Sequence, residues 1–177
     1  DTIVAHRHGT HVAGTIAAIN NNGKGVCGVA GGDYAKGQKG VRLLSCQIFK
    51  RNTATGKDIS ADGALAIKWG CDHGAVIANN SWSYSYGTYA DAKAATTSSY
   101  IKAAIDYFIK YAGYNSAGVQ TGPMAGGVVI FAAGNENWDI SHPADYENVI
   151  AVGSTNCQLG KSSFSKFSLS SSISEML

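Results

Sequence analysis

Apolar positions along this chain switch between a three-to-four-residue spacing and short unbroken runs. Val12, Ile16 and Ile19, with Ala13 and Ala17 beside them, follow i, i+4, i+7 spacing and predict a helix over residues 11–20. Asn20, Asn21, Asn22 and Gly23 stop it. Residues 31–40 read as a loop, and the apolar run over 41–49 as a buried strand. Ser60 is placed to cap a helix that carries Ala64, Ile67 and Cys71 on one face. Residues 75–79 form a short strand-like run, and a polar, tyrosine-rich stretch over 83–98 reads as surface loop. Ile101, Ile105, Phe108 and Ile109 predict a helix over 99–111. A glycine-rich connection over 113–127 leads into a strand over 128–132, and residues 149–152 predict a last strand.

Strands separated by helical segments imply crossover connections and an α/β fold with a mostly parallel central sheet, whose ligands gather at the carboxyl ends of the strands. Composition agrees: 45% of residues are hydrophobic and 15% charged, as in a globular domain rather than a disordered chain. Glycine, at 22 of 177 residues, exceeds the usual share of about 7% and points to tight turns and close backbone approaches. The net charge of +2, with no cluster of Lys and Arg, gives no electrostatic footprint for a nucleic-acid partner. No apolar run nears the roughly 20 residues of a membrane span. The four cysteines, Cys27, Cys46, Cys71 and Cys157, show no C-x-x-C spacing and are expected to be free, buried thiols.

Two segments carry candidate chemistry. The first is His8-Gly9-Thr10-His11-Val12-Ala13-Gly14-Thr15. A serine hydroxyl becomes a useful nucleophile only when a neighbouring base takes its proton, and imidazole titrates near enough to neutrality to do so. The second, Val128 through Glu136, ends in Ala132-Ala133-Gly134-Asn135-Glu136. A rigid side-chain amide after such a strand can donate to the oxyanion of a tetrahedral intermediate. Taken singly, each has a plain alternative: His8 as a helix-capping or solvated histidine, Asn135 as an ordinary turn residue. His6, His8 and His11 also stand at H-x-H and H-x-x-H spacing, but no H-E-x-x-H or carboxylate partner accompanies them to make a zinc site. Gly23-Lys24-Gly25-Val26-Cys27-Gly28 matches G-x-G-x-x-G literally, yet a predicted helix precedes it and a loop follows, the reverse of a dinucleotide-binding context.

Together the two segments resemble, in the same order, the histidine motif and the oxyanion-hole strand of the subtilisin-like serine peptidases, the subtilases. The resemblance runs from about His6 to Ser165 and takes in His142-Pro143-Ala144-Asp145-Tyr146 and the run from Val149 to Ser154 as scaffold. It implies a three-layer α/β sandwich, here a partial catalytic domain lacking pieces at both ends. It also implies endopeptidase activity through an acyl-enzyme, with His8 as general base, Asn135 as oxyanion donor, and a polypeptide as substrate. Ser81, Trp82 and Ser83 resemble the segment that pairs with an extended substrate, faced by Ala132, Ala133 and Gly134. Ser83 stands where the family has glycine, which bears on the depth of the pocket. The loop through Ile19, Asn21 and Val26 resembles a structural-calcium loop of some subtilases, with carbonyl and Asn21 oxygens as ligands and no role in catalysis. An extracellular or cell-envelope location is the family expectation.

The family's other catalytic segments have no counterpart in these residues. Asp1 closes no apolar strand, and no G-T-S-[ML]-A string occurs. Residues 166–177 depart from the pattern and read as an off-family tail, such as a frameshift leaves. The 177-residue chain is therefore expected to be an internal piece, inactive and of marginal stability alone. The rival reading is a non-catalytic member of the family that binds peptides in the same cleft.

Overall fold

A computed structural model describes residues 7–52, 54–56 and 58–166, with the backbone alone at 50, 51, 58 and 59. Asp1, His6 and residues 167–177, where most of the expected off-family tail falls, lie outside the described residues. The chain divides into two compact units, Asp1–Ala61 and Asp62–Leu177.

In the first unit, helix α1 (Arg7–Ala17) starts and ends earlier than its apolar spacing predicts. Its carbonyl ends explain the early stop. The N–H groups of Val29, Ala30 and Gly28 donate to the carbonyls of Thr15, Ile16 and Ala18 at 2.9, 2.8 and 2.9 Å. Those are the acceptors that further helical residues need, so the returning strand of chain replaces the next turn. A small ribbon follows, β1 (Gly32–Asp33) and β2 (Gln38–Lys39), closed by a 3-10 turn over Tyr34–Lys36. β3 (Phe49–Arg51) and β4 (Asp58–Ser60) form an antiparallel hairpin.

The strand expected over 41–49 is not formed before Phe49. Val41, Leu43 and Leu44 are exposed, and no described strand pairs with residues 41–48. An apolar run becomes a strand only where a partner takes its backbone groups. Cys46 is exposed with this run, as are Cys27 and Cys157, so of the four free cysteines only Cys71 is buried as expected.

In the second unit, α2 (Gly63–Asp72) is capped by Asp62, whose carboxylate accepts the Leu65 N–H at 2.9 Å; Ser60, the predicted cap, belongs to β4. Ala64, Ile67 and Cys71 form its buried face, as their spacing requires. After β5 (Ile77–Asn80), the stretch expected as loop contains a short helix, α3 (Tyr89–Ala94). A reciprocal capping box between Thr88 and Asp91 nucleates it. α4 (Ser99–Tyr111) and β6 (Val128–Ala132) take the predicted bounds, and β7 (Ile150–Val152) ends the series.

β5, β6 and β7 form a three-stranded parallel sheet in that order. Alternate residues of β6, Val129 and Phe131, are buried with Ala64 and Ile67 of α2 and Ile105 and Phe108 of α4 in one core. α4 lies so close to the start of β6 that a Cβ on Gly127 would stand 2.6 Å from the Phe108 ring. Glycine is the residue that permits this approach.

Ser98 caps α4, its hydroxyl accepting the Ile101 N–H at 3.3 Å. Ser98→Ala should lower unfolding free energy by about 1 kcal/mol, and Ser98→Asn should restore most of it. Urea unfolding of the full-length protein checks this, provided the slope against denaturant stays constant.

Candidate functional site

Parallel pairing sets one end of the sheet as the candidate cleft. Asn80 is in register with Phe131, so Ser81-Trp82-Ser83 leaves β5 beside the point where Ala132, Ala133 and Gly134 leave β6. Asn80 fixes the first of these segments. Its amide donates to the carbonyls of Ala78 and Ile130 at 3.1 and 3.2 Å, and its oxygen accepts the Trp82 indole N–H at 3.1 Å. The Trp82 ring is thereby turned inward, edge-on to Phe131 at 5.1 Å, and contributes backbone rather than side chain to the cleft. Asn79 donates to the Ser81 hydroxyl at 3.1 Å. Among the described residues no backbone hydrogen bond engages the N–H groups of Ser81, Trp82 or Ser83. Among the described strands of this unit β5 is an edge of the sheet, so this segment offers an unpaired row to an added strand.

The turn after β6 is more tightly held. Ala133 donates to Val152 at 2.9 Å, extending the ladder with β7 by one residue. Gly134 then takes φ of 98°, a conformation that a side chain would strain, and turns the chain outward. Asn135 is exposed, and no hydrogen bond among the described residues engages its side-chain amide. Its backbone N–H donates to the Glu136 carboxylate at 3.0 Å. Burial raises the proton affinity of Glu136, but the Lys166 ammonium and the Asn135 N–H outweigh it and hold the carboxyl below its usual range.

Residues that the sequence reading assigned to scaffold lace the two walls together. Tyr84 donates to the His142 carbonyl at 2.9 Å. The His142 ring is buried, with Nδ1 at 2.7–2.8 Å from the Asp145 carboxylate and Nε2 at 3.1 Å from the Ala92 carbonyl of α3. Tyr89 of α3 in turn donates to Asp139 at 2.9 Å and meets the Trp138 ring edge-on. α3 therefore fastens the loop that follows Asn135. Ser165, a serine near the end of the resembling region, is 1% exposed and accepts the Ser154 N–H while donating to the Lys166 carbonyl. Its hydroxyl is committed to structure.

His8 lies in the other unit, in the first turn of α1, with its residue exposed. Ile19 and Val26 of the loop expected to hold calcium are exposed. Asn21 takes φ of 58°, and its side-chain hydrogen bond to Asp33 is the main reason that carboxyl sits below its usual range. The Asn20 side-chain oxygen is buried with no hydrogen-bond partner among the described residues. The sequence alone placed no carboxylate in this loop; the ribbon of β1 and β2 supplies Asp33. Among the described residues no group of three or more His, Cys, Asp or Glu is assembled to hold a metal. The G-x-G-x-x-G string follows helix α1 and leads into turns, without the strand and helix that a dinucleotide site needs.

The subtilase family (peptidase S8) model matches residues 4–175. The chain belongs to the subtilase family. It is 34% identical over 163 residues to fervidolysin of Fervidobacterium pennivorans, covering 86% of this chain and 18% of that protein. It is 33% identical over 168 residues to a thermophilic serine proteinase of Bacillus sp. (strain AK1), covering 94% and 33%. An extracellular basic protease of Dichelobacter nodosus is 29% identical over 163 residues, covering 90% and 23%. The chain thus spans a third or less of the length of these three relatives. Among solved structures, a protease of Pseudoalteromonas arctica superposes with a TM-score of 0.60 at 27% identity, covering 94% of this chain and 42% of that one. The fold is subtilisin-like α/β, with the parallel sheet expected from the alternation of strands and helices.

Proposed function

We propose that the full-length subtilase carrying this chain is a serine-type endopeptidase, with His8 as general base and Asn135 as oxyanion donor. The observation that carries this reading is the sheet end where an unpaired backbone row, Ser81–Trp82–Ser83, leaves one strand and Ala132–Gly134 leaves its parallel neighbour. An extended peptide laid along that row has its backbone read by hydrogen bonds and its carbonyl brought to the Asn135 turn. A serine supplied by the full-length protein attacks the carbonyl carbon, and its proton passes to the His8 ring. Negative charge develops on the carbonyl oxygen and is met by the Asn135 amide. Collapse expels the amine, which takes the proton from His8 and leaves an acyl-enzyme; water repeats the sequence and releases the acid.

In this reading the 177-residue chain alone is not competent, because neither the aspartate nor the nucleophilic serine is among its residues. A calcium ion, where bound, is held by oxygens of Ile19, Asn21 and Val26 and supplies structure rather than chemistry. An extracellular or cell-envelope location goes with this reading; the Dichelobacter relative is named an extracellular protease. The test is hydrolysis of an unfolded polypeptide by the full-length protein, before and after treatment with a serine-directed phosphonate. Cleavage abolished at one equivalent of phosphonate is expected, with the 177-residue chain inert throughout. Peptide binding without cleavage would instead make the protein a non-catalytic peptide binder.

A further inference from the structure

Lys166 follows the buried Ser165, and its side chain is 2% exposed. Burying an ammonium group is costly unless it is paired and hydrogen-bonded. Its partners all lie on the Asn135 turn. Nζ stands 2.8 Å from Glu136 Oε2, the same oxygen that accepts the Asn135 N–H. The aliphatic stem crosses Gly134, where a Cβ would fall 2.6 Å from Lys166 Cδ. Nζ also lies over the Trp138 ring, 5.0 Å from its centroid. The Lys166 backbone N–H donates to the Gly134 carbonyl at 3.1 Å, and Asn137 donates to Phe164 at 2.9 Å. Nothing else among the described residues ion-pairs with either group.

We propose that Lys166 is a positioning residue: it pins the Glu136 carboxylate onto the Asn135 N–H and so sets the direction in which the Asn135 amide points. This rests on the reading of Asn135 as oxyanion donor. Without the ammonium, the Glu136 side chain, 37% exposed, is free to turn towards water. The Asn135 N–H then loses its acceptor and the turn loses the charged tie next to Asn135, while the Lys161 ammonium still holds Asn137 Oδ1 at 2.7 Å. A donor displaced by about 1 Å costs up to about 10²-fold in rate, although substrate is still bound.

The experiment uses the full-length protein with Lys166→Met and Lys166→Arg, followed by amide exchange at Asn135 and by kcat and KM on one peptide amide. Lys166→Met should exchange the Asn135 amide about tenfold faster and lower kcat by about ten- to a hundredfold, with KM changed by less than about twofold. Lys166→Arg should return both towards the starting values. In an Asn135→Ala background, Lys166→Met should add less than about a twofold loss, because the group it positions is gone. Unchanged exchange at Asn135, a loss confined to KM, or losses that multiply across the two sites would overturn the inference. Should Lys166→Met fail to fold, Lys166→Met with Glu136→Gln removes both charges together and gives the same exchange comparison. If the starting protein cleaves no peptide, the endopeptidase reading fails, while exchange at Asn135 still decides the role of Lys166.

Discussion

His8→Ala in the full-length protein is expected to lower kcat for peptide hydrolysis by about 10⁶-fold while leaving KM close to its starting value. That magnitude is the one established for the base histidine of subtilisin, a member of this family, and is not an independent result of the present geometry. The reason for expecting it is chemical. Alanine leaves the attacking hydroxyl with its proton and the leaving amine without one, so both halves of acyl transfer lose their proton carrier. The fold should not suffer, since His8 is exposed in the first turn of α1, a helix with no buried residue in its own unit. An unchanged thermal midpoint alongside the rate loss separates chemistry from stability. Residual activity of about 10³–10⁴ over water should survive, because the oxyanion donor and the peptide row are untouched. A loss of only about tenfold would place the base elsewhere and return His8 to an ordinary helix-end histidine.

How far these elements were legible depends on how local their determinants are. α4 and β6 take their predicted bounds because each carries its own signal: a four-residue apolar stripe behind a Ser98 cap, and an unbroken apolar run. α3 had a local signal too, the T-x-x-D box of Thr88 and Asp91, masked by the polar, tyrosine-rich surroundings. Ser60 and Asp62 are both cap-type residues, and only the pairing of β3 with β4 decides that Ser60 belongs to a strand. Residues 41–48 fail for the opposite reason, since a strand depends on a partner that local pattern cannot supply. In the candidate site, Asn135 and the cleft segments were named from sequence because the chemistry proposed for them needs particular residue types next to one another. Glu136 with Lys166, and His142 with Ala92, were not visible. They join residues 30 and 50 positions apart, and no spacing rule reaches that far.

The Asn135 amide separates a peptidase from a peptide binder most sharply. Asn135→Ala should reduce kcat by about 10²–10³-fold with little change in KM, a range set by the corresponding donor in subtilisin itself. The split follows from where the amide acts. No protein group among the described residues engages it in the resting turn, so its removal leaves no buried partner unsatisfied and the ground state keeps its contacts. In the proposed reading substrate is held by the row at Ser81–Ser83, which follows the neighbouring strand β5 and which the substitution does not touch. Only the transition state, with charge on the carbonyl oxygen, has lost a donor. Asn135→Asp is the sharper variant, because it keeps the shape and sets a carboxylate where negative charge must develop, so its rate should fall below that of Asn135→Ala. Steady-state kinetics on one peptide amide, with Kd for a non-cleavable peptide measured beside them, checks both. Equal rates for the two variants would mean that the oxyanion is stabilised by some other group, whereas a parallel loss of peptide affinity would make Asn135 a binding residue.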